Sequence, residues 1–321
     1  MSALWILLIV VVVLAALFVG AGFFLLDFTC GRRKPEDAWD PEYLKKRGLG
    51  ALVEPIRESK AWFEAQEKEE LEIRSEDGLR LRGTFVPREG ARGTLLLFHG
   101  WRSSWMMDFG MALPFYASLG LNLLLVDERS QGRSEGKYMT YGVWERRDLA
   151  LWVDCMAKKL GKDAPLLLGG LSMGAATVLM ASDLTFSGNV RGIIADCGFT
   201  TPYAIIRHVA GKTKAIPLDL STAILEVFAR RFAHFGLKDA STVESLKKTK
   251  LPVLFFHGLA DDFVPPEMSR ESYAACASEK ELVLVEGAAH GMSYPVDPER
   301  VKGKIREFVE KHLSFRGAGS Q

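Results

Sequence analysis

The sequence predicts an α/β protein: a mostly parallel central sheet with helices on both faces, preceded by one apolar helix. Three observations carry this. Short apolar runs recur between residues 94 and 285, most of them ending at Gly, Asp or His. Amphipathic stretches at 106–119, 141–160, 173–184 and 266–277 separate them, and strands alternating with helices are the pattern of a parallel sheet. The third is residues 3–26, which are 24 positions without a charge.

That first stretch would form a helix of about 36 Å, against a hydrocarbon core of about 30 Å, so it is long enough to span a membrane with some tilt. A cleaved signal peptide would need a basic start and a small-residue cleavage site. Nothing basic precedes the run, and Asp27-Phe28-Thr29-Cys30 is a poor cleavage or lipidation site. The expectation is an uncleaved transmembrane anchor over residues 1–27. Arg32, Arg33 and Lys34 follow it and no basic residue precedes it, so the positive-inside rule places the remainder in the cytoplasm, as a single-pass membrane protein. Residues 28–70 are rich in charge, with Trp39, Tyr43, Leu44, Ile56, Trp62 and Phe63 interspersed. They read as an amphipathic linker of one or two helices, docked on the domain or touching the membrane surface.

Next, residues 71–75 and 79–85 alternate apolar and polar around Glu76-Asp77-Gly78, a hairpin. Residues 94–98 are a buried strand running into His99-Gly100-Trp101. Residues 123–126 are another, running into Asp127-Glu128-Arg129. Residues 165–169 lead into Gly170-Leu171-Ser172-Met173-Gly174 and then a helix. G-x-S-x-G between strand and helix puts a serine on a strained turn, with the helix N-terminus behind it to favour negative charge; a side chain at either glycine would crowd the neighbouring elements.

Beyond the strand at 191–196 lie over fifty residues before the next strand at 251, more than a crossover requires, with Leu220, Ile224, Val227, Phe228, Phe232 and Phe235 at helical spacing. The strand at 251–256 precedes Asp261 and Asp262. The strand at 281–285 precedes His290, and 301–313 reads as a terminal helix. Serine, acid and histidine thus occur at strand ends in the order that one family of nucleophilic hydrolases uses. Imidazole would take the serine proton and the carboxylate would fix its tautomer. His99, His208, His234 and His257 precede the Asp pair, and His312 sits in the terminal helix, which leaves His290.

His257, Gly258, Asp261, Val264 and Pro265 form H-G-x-x-D-x-x-V-P. This resembles the acid loop of α/β-hydrolase superfamily serine hydrolases, in the branch described as serine aminopeptidase S33-like or Bem46-like. The resemblance implies the α/β-hydrolase fold, with Asp261 as the triad acid and Asp262 as its neighbour. His99-Gly100 is similar to the family's oxyanion loop and implies the Trp101 N–H as a second oxyanion donor beside that of Met173; a plain tight turn is the competing reading. Asp127 to Ser134 resembles the family's D-x-R-x-x-G-x-S turn, with a structural role. In such hydrolases an insertion at 199–250 is a helical cap over the active site, leaving 71–198 and 251–321 as the core.

Charge is balanced, with 41 basic and 40 acidic residues, so nothing points to nucleic acid. Four scattered cysteines have no metal-ligand spacing and read as free thiols in a reducing compartment. No cofactor or metal is expected. The combined reading is a membrane-anchored serine hydrolase that cleaves carboxylic, lipid or thio esters through Ser172, His290 and Asp261. The alternatives are an S33-like peptidase and a non-catalytic, membrane-tethered binding protein.

Overall fold

The computed structural model of the chain describes residues 3–34, 40–46, 48–212 and 217–313. The strands are β1 (Glu69–Arg74), β2 (Arg80–Val86), β3 (Gly93–Phe98), β4 (Leu121–Asp127), β5 (Pro165–Leu171), β6 (Asn189–Asp196), β7 (Val253–Gly258) and β8 (Lys280–Val285). Three helices precede them: α1 (Ala3–Cys30), α2 (Pro41–Lys46) and α3 (Val53–Glu64). Among the strands lie α4 (Trp105–Phe109), α5 (Leu113–Ser118), α6 (Glu145–Leu160), α7 (Met173–Met180), α8 (Pro202–Gly211), α9 (Leu218–Phe228), α10 (Thr242–Leu246) and α11 (Pro266–Ala275). The chain closes with α12 (Ser293–Val296) and α13 (Pro298–Leu313).

One sheet results, in the order β1-β2-β4-β3-β5-β6-β7-β8. β2 runs antiparallel to β1 and β4, and the remaining pairs are parallel. Alternate residues face opposite layers, as the period of two requires. Leu95 and Leu97 enter a core with α5 and α13, while Leu96 and Phe98 enter one with Trp152 of α6 and Val178 of α7. Strand order reverses between β3 and β5, where a crevice opens beyond the strand ends. The loops leaving β3 and β5 carry Trp101 and Ser172.

The sequence predicts one helix over 106–119; the structure breaks it into α4, a 3-10 turn at Gly110–Ala112, and α5. Pro114 lies in the first turn of α5, where its missing N–H is harmless; inside a continuous helix it would cost a hydrogen bond. The expected helix over 141–160 starts only at Glu145, whose buried carboxylate accepts from Thr140 N–H, Thr140 Oγ1 and Gly142 N–H instead. The linker docks on the domain: Leu44 and Phe63 are buried, and the Phe63 ring lies 4.9 Å from that of Trp105. Trp39 and the side chain of Tyr43 lie outside the described residues.

The Asp127–Ser134 turn is held by charge. Asp127 accepts from Arg133 at 2.6 Å, and buried Arg129 forks onto buried Asp148 at 2.6 and 2.8 Å. Asp148→Ala would leave the buried Arg129 guanidinium with only the half-exposed Asp77 as carboxylate partner, an expected loss of about 2–3 kcal/mol, read as a lowered denaturant midpoint at unchanged slope.

Candidate active site

Ser172 sits between β5 and α7 with φ 56° and ψ −113°. A non-glycine residue rarely takes that conformation, at a cost of order 1–3 kcal/mol. Two glycines make the turn possible. A Cβ on Gly170 would lie 2.2 Å from the Gly174 carbonyl oxygen, and one on Gly174 would lie 1.8 Å from that of Phe98. Arg102 and Cys197, in neighbouring loops, also have positive φ, 53° and 49°.

Ser172 Oγ is 2.9 Å from His290 Nε2, and His290 Nδ1 is 2.7 Å from Asp261 Oδ2. The carboxylate beside Nδ1 fixes the proton there and leaves Nε2 to accept from the serine hydroxyl. The Phe263 ring packs on His290 at 5.0 Å. Asp261 Oδ1 accepts from the N–H groups of Phe263 and Val264, both at 2.9 Å. Burial pushes the Asp261 carboxyl up, but hydrogen bonds from His257 and His290 outweigh it and hold the group well below the usual carboxylate range. Asp262 points away, 94% exposed, beside Lys212. Of the two adjacent acids, Asp261 is therefore the one that the structure brings to His290.

Three residues at the site, Asp108, Asp196 and Cys197, escape sequence reasoning, and a fourth, His257, is seen there only as a motif position without a role. His257, fully buried, turns Nε2 to the Val264 carbonyl at 2.8 Å and to Asp261 Oδ2 at 3.3 Å. Its proton belongs on Nε2, and Nδ1 accepts from Ser269 Oγ at 2.6 Å. Asp108 Oδ2 accepts from Gly100 N–H at 2.5 Å and its Oδ1 from Ser103 Oγ at 2.6 Å, so it pins the loop after β3. Burial raises its pKa. Asp196, half-buried, with desolvation raising its pKa, accepts from Ser293 Oγ at 2.9 Å. Cys197 lies next to it. A lone acid in Trp105-Met106-Met107-Asp108-Phe109 was the only signal, since isolated polar residues carry no period or spacing.

Gly100 N–H is committed to Asp108, which fixes the loop that carries Trp101, the residue expected from the sequence to offer its amide. Met173 begins α7, where helix geometry leaves N–H groups without intrahelical partners. Asp108→Ala would release the loop and misplace the Trp101 amide. The expected result is a fall in turnover of order 10²-fold with substrate binding nearly unchanged, checked by steady-state kinetics.

Cys197, Asp261 and His290 offer donor atoms within 4.8 Å of one another. The donor set does not suit a metal: Asp261 and His290 spend theirs on each other. Burial also pushes the Cys197 thiol well above its usual range, against the thiolate that a metal needs.

Two cavities meet at Ser172. The larger, about 520 Å³, is bounded by His290, Asp108, Met292, Tyr294 and residues of α2 and α3. The smaller, about 340 Å³ and almost wholly apolar, lies between α1 and the helices that follow β6. Trp101, Ser172 and Phe263 line both.

Residues 219–296 match the serine aminopeptidase S33 family, a span that includes Asp261 and His290 but not Ser172. The uncharacterized protein YqkD of Bacillus subtilis is 26% identical over 248 residues, 77% of this chain and 81% of that protein. Protein bem46 of Schizosaccharomyces pombe is 26% identical over 67% of each chain. An uncharacterized membrane protein of Saccharomyces cerevisiae, YNL320W, is 24% identical over 67% of this chain and 70% of its own. Among solved structures, the Pyrococcus furiosus esterase Pf2001 is similar with a TM-score of 0.66 at 22% identity, over 89% of this chain and 99% of that one. At that identity the likeness shows the fold.

Proposed function

We propose that this chain, an α/β-hydrolase related to the serine aminopeptidase S33 and Bem46 proteins, is a membrane-anchored serine hydrolase that cleaves carboxylic esters through an acyl-enzyme. The observation that carries the reading is the unbroken hydrogen-bond relay from Ser172 through His290 to Asp261, opening onto two cavities. Ser172 Oγ attacks the ester carbonyl while its proton passes to His290 Nε2. The amides of Met173 and Trp101 hold the oxyanion. As the tetrahedral centre collapses, His290 returns the proton to the departing alcohol. Water, deprotonated by His290, then frees the acid and restores Ser172.

Esters are favoured over peptides by the lining. Among the described residues, Asp108 and Asp196 are the acids that line the larger cavity, and both are bonded to the protein's own groups. An aminopeptidase needs a carboxylate left over for the substrate ammonium. Anchoring is supported by α1, in which an 18-residue stretch averages a hydropathy of 3.1, and a cytoplasmic domain by the three basic residues that follow it.

The test is a panel of acyl esters beside aminoacyl and peptide amides, run on the full chain with Ser172→Ala as blank. Ester turnover that vanishes in Ser172→Ala is expected. Preference for aminoacyl amides would transfer the assignment to a peptidase.

A further inference from the structure

The C-terminal half of α1 is built into the catalytic domain. Its last carbonyls, which helix geometry leaves unpaired, are taken by side chains of the domain. Trp101 Nε1 donates to Thr29 O at 2.8 Å, Tyr141 Oη to the same oxygen at 2.9 Å, and Arg102 to Phe28 O at 2.7 Å. The Trp101 loop that faces Ser172 is therefore fastened to the end of α1. Higher up, Gly22 lets α9 approach closely: a Cβ there would lie 2.1 Å from the Phe228 ring. Phe23 stacks edge-on to Phe228 at 5.2 Å and lies 4.8 Å from Phe232.

Between these two attachments lies the apolar cavity of about 340 Å³. Phe24, Leu25, Phe28 and Thr29 of α1 form one side of it, and Leu225 of α9 and Ile205 of α8 the other. Ser172 is among the residues that line it. The outside of this region is also apolar. Along α1, Leu4 to Val19 expose their side chains, and Leu220 and Val227 of α9 are 56% and 54% exposed beside it. Arg231 lies over the Phe232 ring, a placement that suits an interfacial cation with its stem along apolar surface. Single exposed apolar residues are ordinary, but a row beside a membrane-length helix marks a surface that enters lipid.

We propose that α1 is a wall of the substrate site as well as an anchor, and that the substrate is a single-chain amphiphilic ester drawn laterally from the bilayer. Its acyl chain occupies the cavity between α1 and α9, its carbonyl meets Ser172, and its head group lies in the larger, more polar cavity. This rests on the hydrolase reading above and on α1 residing in a bilayer.

The test uses the full chain in phosphatidylcholine vesicles, with 4-methylumbelliferyl acetate, octanoate and palmitate as substrates. Leu25→Trp narrows the cavity, Phe24→Ala alters its exposed rim, where folding is insensitive, and Val10→Trp faces lipid away from the domain. Leu25→Trp is expected to lower the palmitate-to-acetate ratio of kcat/KM by roughly tenfold or more, while thermal melting, which reports folding, stays native. Phe24→Ala should shift the chain-length preference, and Val10→Trp should leave it unchanged. If Ser172 takes a fluorophosphonate and acetate is hydrolysed, but neither Leu25→Trp nor Phe24→Ala changes the palmitate-to-acetate ratio, α1 is not a wall of the site. Failure of Ser172 to react at all would instead remove the hydrolase reading.

Discussion

Asp261→Asn is expected to lower ester turnover by about 10⁴-fold while the protein stays folded. Asp261 Oδ1 accepts from two backbone N–H groups, Phe263 and Val264. An asparagine there must turn its carbonyl oxygen to those amides, which aims its NH₂ at His290 Nδ1. The ring can answer only by accepting at Nδ1 and carrying its proton on Nε2. In that tautomer it cannot take the proton of Ser172. The side chain keeps its size and most of its bonds, so the melting temperature should fall little beside the loss of rate. Asp262→Asn, exposed and outside the relay, should be silent. The comparison is kcat/KM for both variants with thermal melts alongside; a loss under tenfold for Asp261→Asn would remove Asp261 from the relay.

Gly174→Ala should cost the fold itself. The added methyl would sit 1.8 Å from the Phe98 carbonyl oxygen and 2.8 Å from that of His99. Those atoms are backbone where β3 ends, with Phe98 in register with Gly170 of β5, so they cannot move away without disturbing the sheet beside the Ser172 turn. The expected loss is at least about 4 kcal/mol, in the range kept for severe core disruption, seen as insoluble protein or a much lower denaturant midpoint. Gly303→Ala is the control. It lies in α13 with nothing within 4 Å of its Cβ, and should add up to about 1 kcal/mol through helix propensity.

Much of the architecture is legible in the chain because it rests on local regularities. Runs such as 94–98 and 165–169 are apolar on both faces, as strands buried between two helical layers must be. The sequence also marks the strand ends that carry Ser172, Asp261 and His290, since Gly169, His257 and Glu286 interrupt apolar runs there. Other features depend on partners far away in the chain. The bond from Trp101 to Thr29 joins residues 72 apart, and that from Tyr141 to Thr29 joins residues 112 apart. No window of sequence could show that α1 ends against the active-site loops. Asp108 is hidden for a similar reason: it acts on one neighbour in space, Gly100, and the pair forms no pattern, while His257 stands in the same motif as Asp261 but its contact with that carboxylate is not written in the spacing. The turn between 106 and 119 was obscured because Pro114 suits the first turn of a helix as well as the interruption of one.

The most direct test of the central claim is covalent labelling. The full chain in vesicles is treated with a fluorophosphonate, digested, and mapped by mass spectrometry. The relay from Ser172 to His290 and Asp261 predicts one adduct, on the peptide containing Ser172. Labelling should be absent in Ser172→Ala and strongly slowed in His290→Ala, both with native melting curves. A folded wild-type protein that remains unlabelled, or an adduct on another residue that persists in Ser172→Ala, would contradict it.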